Sequence, residues 1–158
     1  MIDFATLLRT LVGAGVRFII VGGAAATAHG SARLTQDLDI VYDRSPANLE
    51  RLVQALTPHQ PYLRGAPPGL PFRFDVETLR RGLNFRLTSK LGDIDLLGEI
   101  TAGGGYANLE PHAFSIELFG VRCSCLGLDK LIEVKRAAGR PKDLEVIAEL
   151  VAIRAARG

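Results

Sequence analysis

A chain of 158 residues, 47% hydrophobic and 23% charged, is sized for one globular domain over residues 1–158 with a single core. A net charge of +2 excludes the strong overall field of a general nucleic-acid binder, and the longest apolar runs, such as FIIV at 18–21, are far too short to span a bilayer. Cys123 and Cys125 stand two apart with no second pair, which suits neither a disulfide framework nor a zinc site. Together with an N-terminus lacking a basic stretch followed by an apolar one, they point to a reducing, cytoplasmic setting.

Phe4, Leu7, Leu8, Leu11 and Val12 recur at helical spacing, and Gly13 and Gly15 close the pattern. VRFIIV is a β-branched and aromatic run of the kind buried on both faces of a sheet. Gly22 and Gly23 then mark a strand-to-helix turn into AAATAH. DLDIVY is the next strand, and Ser45-Pro46 opens a helix with Leu49, Leu52, Val53 and Leu56 on one side. Residues 57–71, with five prolines and two glycines, read as a surface loop. LNFRLTS and DIDLL are two strands joined near Lys90–Gly92, TAGGGYA is a further loop, and FSIEL with VRCSCL form a hairpin around Phe119 and Gly120. Two helices follow, Leu128–Ala138 and Pro141 to about Arg154. The order indicates an α+β domain, with helices packed on a mixed β-sheet and two C-terminal helices.

Alternation on a strand sends Asp37 and Asp39 to one face and Leu38 and Ile40 to the other, apolar one. Two carboxylates this close each raise the other's cost of ionising, a cost that a divalent cation between them removes. Magnesium, which prefers carboxylate oxygens, phosphate and water, fits such a pair. Gly22 and Gly23 end one strand and open a helix, where backbone N–H groups favour phosphate. Thirteen residues separate Gly23 from Asp37, enough for a short helix and a return beside the first strand. Ser31, after Gly30, is a weaker phosphate candidate. From Lys130 to Lys142 five basic residues gather. Lys135 among them falls inside the apolar sector of its helix, formed by Leu131, Ile132, Val134 and Ala138. A lysine there must snorkel outward or meet a carboxylate or phosphate. His29, His59 and His112 have no metal-ligand spacing and read as surface or satisfied side chains.

VGGAAATAHG…RLTQDLDIV resembles the signature of the DNA polymerase beta-like nucleotidyltransferase superfamily: a glycine turn, a helix, then Asp-x-Asp. GSARLTQDLDI and the tail LDKLIEVKRAAGRPKDLEVIAEL further resemble small bacterial proteins related to the nucleotidyltransferase toxins of abortive-infection (AbiE) systems. The similarity runs from about residue 15 to the end, with no recognised motif in residues 57–84. The resemblance implies a nucleotidyltransferase fold in which a third carboxylate on a later strand joins Asp37 and Asp39 around two magnesium ions. GDIDLLGEI offers that carboxylate, with Asp95 matching better than Asp93. It further implies a nucleoside triphosphate as partner, with Gly22 and Gly23 at its β and γ phosphates and Arg33, Thr35 and Lys135 as further contacts. Asp143, in the Arg-Pro-x-Asp of the tail, has a dipole-facing first-turn role as its alternative.

The implied activity is transfer of a nucleoside monophosphate from the triphosphate to a hydroxyl of RNA, a protein or a small molecule. An antitoxin partner follows from the toxin resemblance by analogy alone. The rival reading is a catalytically silent nucleotide-binding or partner-binding module on the same fold, whose sign would be loss of a metal carboxylate. A dinucleotide-binding oxidoreductase would need G-x-G-x-x-G, where this turn reads VGGAAA. An RNA-binding module would want more than 6% aromatics beside its basic residues.

Overall fold

The computed structural model describes residues 2–158. Helix α1 (Phe4–Gly13) is capped by Asp3, whose Oδ1 accepts from the Thr6 N–H at 3.0 Å, and buries Leu7, Leu8 and Leu11. Strand β1 (Phe18–Val21) is buried at all four residues, as a continuous apolar run requires. It passes directly into α2 (Gly22–Ala28), with Gly22, at φ 63°, turning the chain from strand into helix. β2 (Asp37–Tyr42) returns antiparallel to β1, and α3 (Pro46–Leu56) follows.

The proline-rich segment is more ordered than its composition suggests. It holds a short strand β3 (Tyr62–Leu63), paired with β4 (Asn84–Thr88), and is followed by α4 (Val76–Arg81). Proline is tolerated at a sheet edge, and β3 is the edge. β5 (Asp93–Leu97) leads to a second departure from expectation: the TAGGGYA loop runs into one helical turn, α5 (Tyr106–Leu109). β6 (Ala113–Leu118) and β7 (Val121–Leu126) form the expected hairpin, with Phe119 at φ 53° and Gly120 at φ 81°, the paired positive values of a tight right-twisted turn. α6 (Leu128–Ala138) and α7 (Pro141–Arg157) end the chain, the latter running three residues past Arg154.

Among the described residues, seven strands make one mixed sheet in the order β3-β4-β5-β2-β1-β7-β6. β1–β7 and β2–β5 are parallel; the other neighbours are antiparallel. Consecutive residues such as Ile19 and Ile20, or Ile40 and Val41, are buried together, so helices cover both faces of the central strands. Cys123 and Cys125 are free and buried on one face of β7, and burial pushes the Cys125 thiol up to about 12. His29 is a satisfied core histidine, with Nε2 2.8 Å from the Leu126 carbonyl. Among the described residues no helix is long and apolar enough to cross a membrane.

Asn48 of α3 is a polar side chain with no exposure to solvent. It accepts from the Arg17 N–H at 2.7 Å and donates to the Arg17 and Asp43 carbonyls at 3.0 and 2.7 Å, tying the entry of β1 to the exit of β2. Asn48→Ala leaves these buried backbone groups unpaired. It is expected to cost about 2–3 kcal/mol in chemical unfolding, whereas a loss under about 0.5 kcal/mol would mean that water replaces the amide.

Candidate active site

Parallel pairing of β2 with β5 sets Asp37 opposite Asp93 and Asp39 opposite Asp95. All four carboxylates therefore lie on one sheet face. Asp37, Asp39 and Asp95 each bring one oxygen to within 4.8 Å of the others, and Asp93 is not part of that group. Between the two sequence candidates the geometry thus clusters Asp95, whose side chain is 13% exposed against 37% for Asp93.

This arrangement is electrostatically expensive. Burial first, then the charges of Asp37 and Asp95 and a hydrogen bond with Asp95, push the Asp39 carboxyl up to about 8. Asp37 is raised too, by burial and then by Asp95, with Arg64 opposing. Asp39 Oδ1 is buried with no hydrogen-bond partner. Three converging carboxylates, one with an orphaned oxygen, are the donor set of a hard divalent cation.

Gly22 has φ 63°, and a Cβ on it would stand 2.2 Å from Asp39 Oδ2. A Cβ on Gly23 would meet Thr35 Oγ1 at 2.9 Å. The glycine pair is therefore needed to let the Asp39 carboxylate and Thr35 close on the first turn of α2. No side chain caps that turn. Thr35 donates to the Asp37 carbonyl at 3.0 Å, holding the loop against the start of β2.

Helix α7 fixes the rest of that loop. Ser31 Oγ donates to Glu149 Oε1 at 2.5 Å and the Ala32 N–H to Oε2 at 3.0 Å, while Arg33 pairs with Glu145 at 3.3 Å. The Ser31 hydroxyl is thus engaged within the protein. Lys135 is buried, as its place in the apolar sector of α6 requires, although Ala138 of that sector is exposed. Its Nζ lies 3.7 Å from Asp143 Oδ1. Burial lowers the Lys135 pKa, with the Asp143 charge opposing. Burial would raise Asp143, yet the hydrogen bonds and charge of Arg140, with Lys135, hold it below the usual carboxylate range. Asp143 is accordingly both a buried partner of two cations and the acidic first-turn residue of α7, where its carboxylate accepts from the Arg140 N–H at 3.2 Å.

Two clefts meet at Gly22 and Asp39. The larger, about 790 Å3, has Arg33, Arg86, Lys135, Arg140 and Lys142 on its walls. The smaller, about 400 Å3, is lined by Leu97, Ile100, Leu131 and Val134 with Glu99 and Thr101. Sequence reasoning missed Arg86 and, above all, Arg64, and took Arg140 and Lys142 only as members of a basic run. The Arg64 guanidinium lies 2.6 Å from Asp95 Oδ1, 3.3 Å from Asp93 Oδ2 and 3.6 Å from Asp37 Oδ2. It follows a two-residue strand in a proline-rich segment, and no local pattern marks it.

The chain adopts the nucleotidyltransferase fold. It superimposes on the lincomycin-bound lincosamide antibiotic adenylyltransferase LnuA with a TM-score of 0.65 at 14% identity, covering 96% of this chain and 98% of that one. It also matches a Thermotoga maritima protein provisionally assigned as a nucleotidyltransferase, with a TM-score of 0.59 at 13% identity and 96% of each chain covered. No family model matches the sequence, and no curated protein matches it by sequence.

Two outcomes follow from the site. Because the folded Asp39 holds its proton more tightly than the unfolded chain does, its contribution to stability is full below about pH 4 and is lost as pH rises through about 8. In metal-free buffer at pH 8.5, Asp39→Asn should therefore melt above wild type, at about 2–4 °C per kcal/mol recovered. Wild type melting at or above the variant there would contradict this electrostatic account. Gly22→Ala forces a Cβ into the Asp39 carboxylate and a strained backbone, so it should destabilise by about 1–3 kcal/mol in urea unfolding.

Proposed function

We propose that this protein is a magnesium-dependent nucleotidyltransferase that moves a nucleoside monophosphate from a nucleoside triphosphate to a hydroxyl and releases pyrophosphate. The observation carrying this reading is that three carboxylates converge against a glycine-opened helix in a cleft whose walls also carry Arg33, Arg86, Lys135, Arg140 and Lys142. Asp37, Asp39 and Asp95 would hold the metal ions. When bound, the ions would neutralise phosphate charge and make the acceptor hydroxyl more acidic.

The chain's own groups would position the substrate. Gly22 and Gly23 present uncapped backbone N–H groups where the β and γ phosphates would lie. Arg33, Arg86, Lys135 and Lys142 line the cleft that would receive the triphosphate. Thr35 would keep the loop in place, whereas Ser31 would reach a nucleotide only by releasing Glu149. As the acceptor oxygen bonds to the α phosphorus and the bond from that phosphorus to the bridging oxygen breaks, Asp95 would accept the hydroxyl proton.

For the acceptor, a cleft of about 400 Å3 whose walls mix Leu97, Ile100, Leu131 and Val134 with Glu99, Lys135 and Arg140 has small-ligand dimensions, which favours a small hydroxyl-bearing compound over RNA or protein. The likeness to a lincosamide adenylyltransferase agrees with such an acceptor. The finer resemblance to abortive-infection toxins, and an antitoxin partner with it, gains no support from these neighbours.

The test is calorimetric titration of each nucleoside triphosphate, with and without magnesium, into wild type and Asp37→Ala/Asp39→Ala. Magnesium-dependent binding that the double substitution abolishes is expected, and the triphosphate that binds then enters a labelled-transfer screen. Folded wild type that binds none of the four would overturn the enzyme reading in favour of a silent module.

A further inference from the structure

Resting on the metal site proposed above, a further role belongs to Arg64. Four carboxylates lie on one sheet face, and a single side chain answers three of them. Backbone pairing places Arg64 just beyond β3, with its N–H donating to the Arg86 carbonyl at 2.9 Å. Its side chain crosses β4 to reach β5 and β2 and is 20% exposed. The guanidinium is well bonded at one corner only. Nη2 donates to Asp95 Oδ1 at 2.6 Å and to the Leu87 carbonyl at 2.9 Å. Nη1 stands 3.6 Å from Asp37 Oδ2. Nε is buried with no hydrogen-bond partner, although Asp93 Oδ2 is 3.3 Å away.

We propose that Arg64 is a resident counter-ion that competes with divalent cations for Asp37 and Asp95, and that Asp93 is the carboxylate that retains it when a cation enters. Guanidinium and metal ion would draw on the same oxygens and repel each other at this range. Most of the guanidinium's donors are unspent or long, so its hold on the cluster is electrostatic more than geometric. The contact to Leu87 and the proximity of Asp93 lie outside the three-carboxylate group. A small rotation toward them would free Asp37 and Asp95 while keeping the charge paired. This assigns a task to Asp93, the fourth carboxylate. Arg86, at 3.9 Å from Asp95 Oδ2 and largely exposed, is too remote and too solvated to replace Arg64.

Nucleotide-free Mn2+ binding, read by electron paramagnetic resonance, tests this on wild type, Arg64→Gln, Arg64→Lys and Asp93→Asn, with Asp37→Ala/Asp39→Ala as the site control. Arg64→Gln should bind Mn2+ about tenfold or more tightly than wild type, with Arg64→Lys between the two. Asp93→Asn should bind several-fold more weakly, because the arginine then has only Asp37 and Asp95 to pair with. Melting curves give a second readout: in chelator Arg64→Gln should melt below wild type, and it should gain more from added Mn2+. If Arg64→Gln does not fold without cation, Arg64→Lys carries the comparison. Mn2+ binding that the site control abolishes but that is equally tight in wild type and the Arg64 variants overturns the counter-ion role alone. Loss of all binding in Asp93→Asn would make Asp93 a ligand and overturn its assigned task. No Mn2+ binding by any folded form overturns both this proposal and the metal site on which it rests.

Discussion

The strand register of β2 is the constraint on which the rest of the site depends. Val21, Asp39 and Asp95 lie side by side on three adjacent strands. A one-residue slip would turn Asp37 and Asp39 into the core and Leu38 and Ile40, both fully buried, into the cleft. The apolar face therefore pins a set of like charges that would otherwise separate. Repulsion among the carboxylates is the cost of that pinning, visible in the raised Asp39 and Asp37 pKa values and in the orphaned Asp39 oxygen.

Around this strained centre, rigid elements fix the rest of the site. The first turn of α2 is brought against Asp39 by having no Cβ at Gly22. Loop 31–36 is held from one side by Thr35 on the Asp37 carbonyl and from the other by Glu149 and Glu145 of α7. α6 and α7 are themselves joined through the buried Lys135–Asp143 pair, reinforced by Arg140. Losing one partner of such a pair would strand a buried charge. The clamp that lines the cleft thus also holds the two C-terminal helices together.

Much of this was legible locally. Periodicity placed α1, β1, β2, α6 and the β6–β7 hairpin, because each carries its own apolar pattern and its own turn residues. The alternation in DLDI placed two carboxylates on one face, and Lys135 was conspicuous inside an apolar stripe. β3, α4 and α5 were not legible, since they are short and hold their shape through pairing and packing with distant residues. The roles of Gly22 and Ser31 were half legible. Glycine announces a turn, but only the fold shows that Asp39 needs the space, and a serine after glycine does not reveal a glutamate 118 positions along the chain.

By itself, then, the amino-acid sequence determined the α+β class, the paired aspartates on one strand face and the glycine-opened helix ahead of them. All three are set by residues within a few positions of one another. Only the tertiary structure decided which of Asp93 and Asp95 joins the cluster, what Lys135 meets and where Arg64 reaches. Strand order and register set the first and the last, bringing together groups as distant in the chain as Asp39 and Asp95, and the return of α7 onto α6 through the left-handed Gly139 sets the second. The spacing along the chain carries no trace of that proximity.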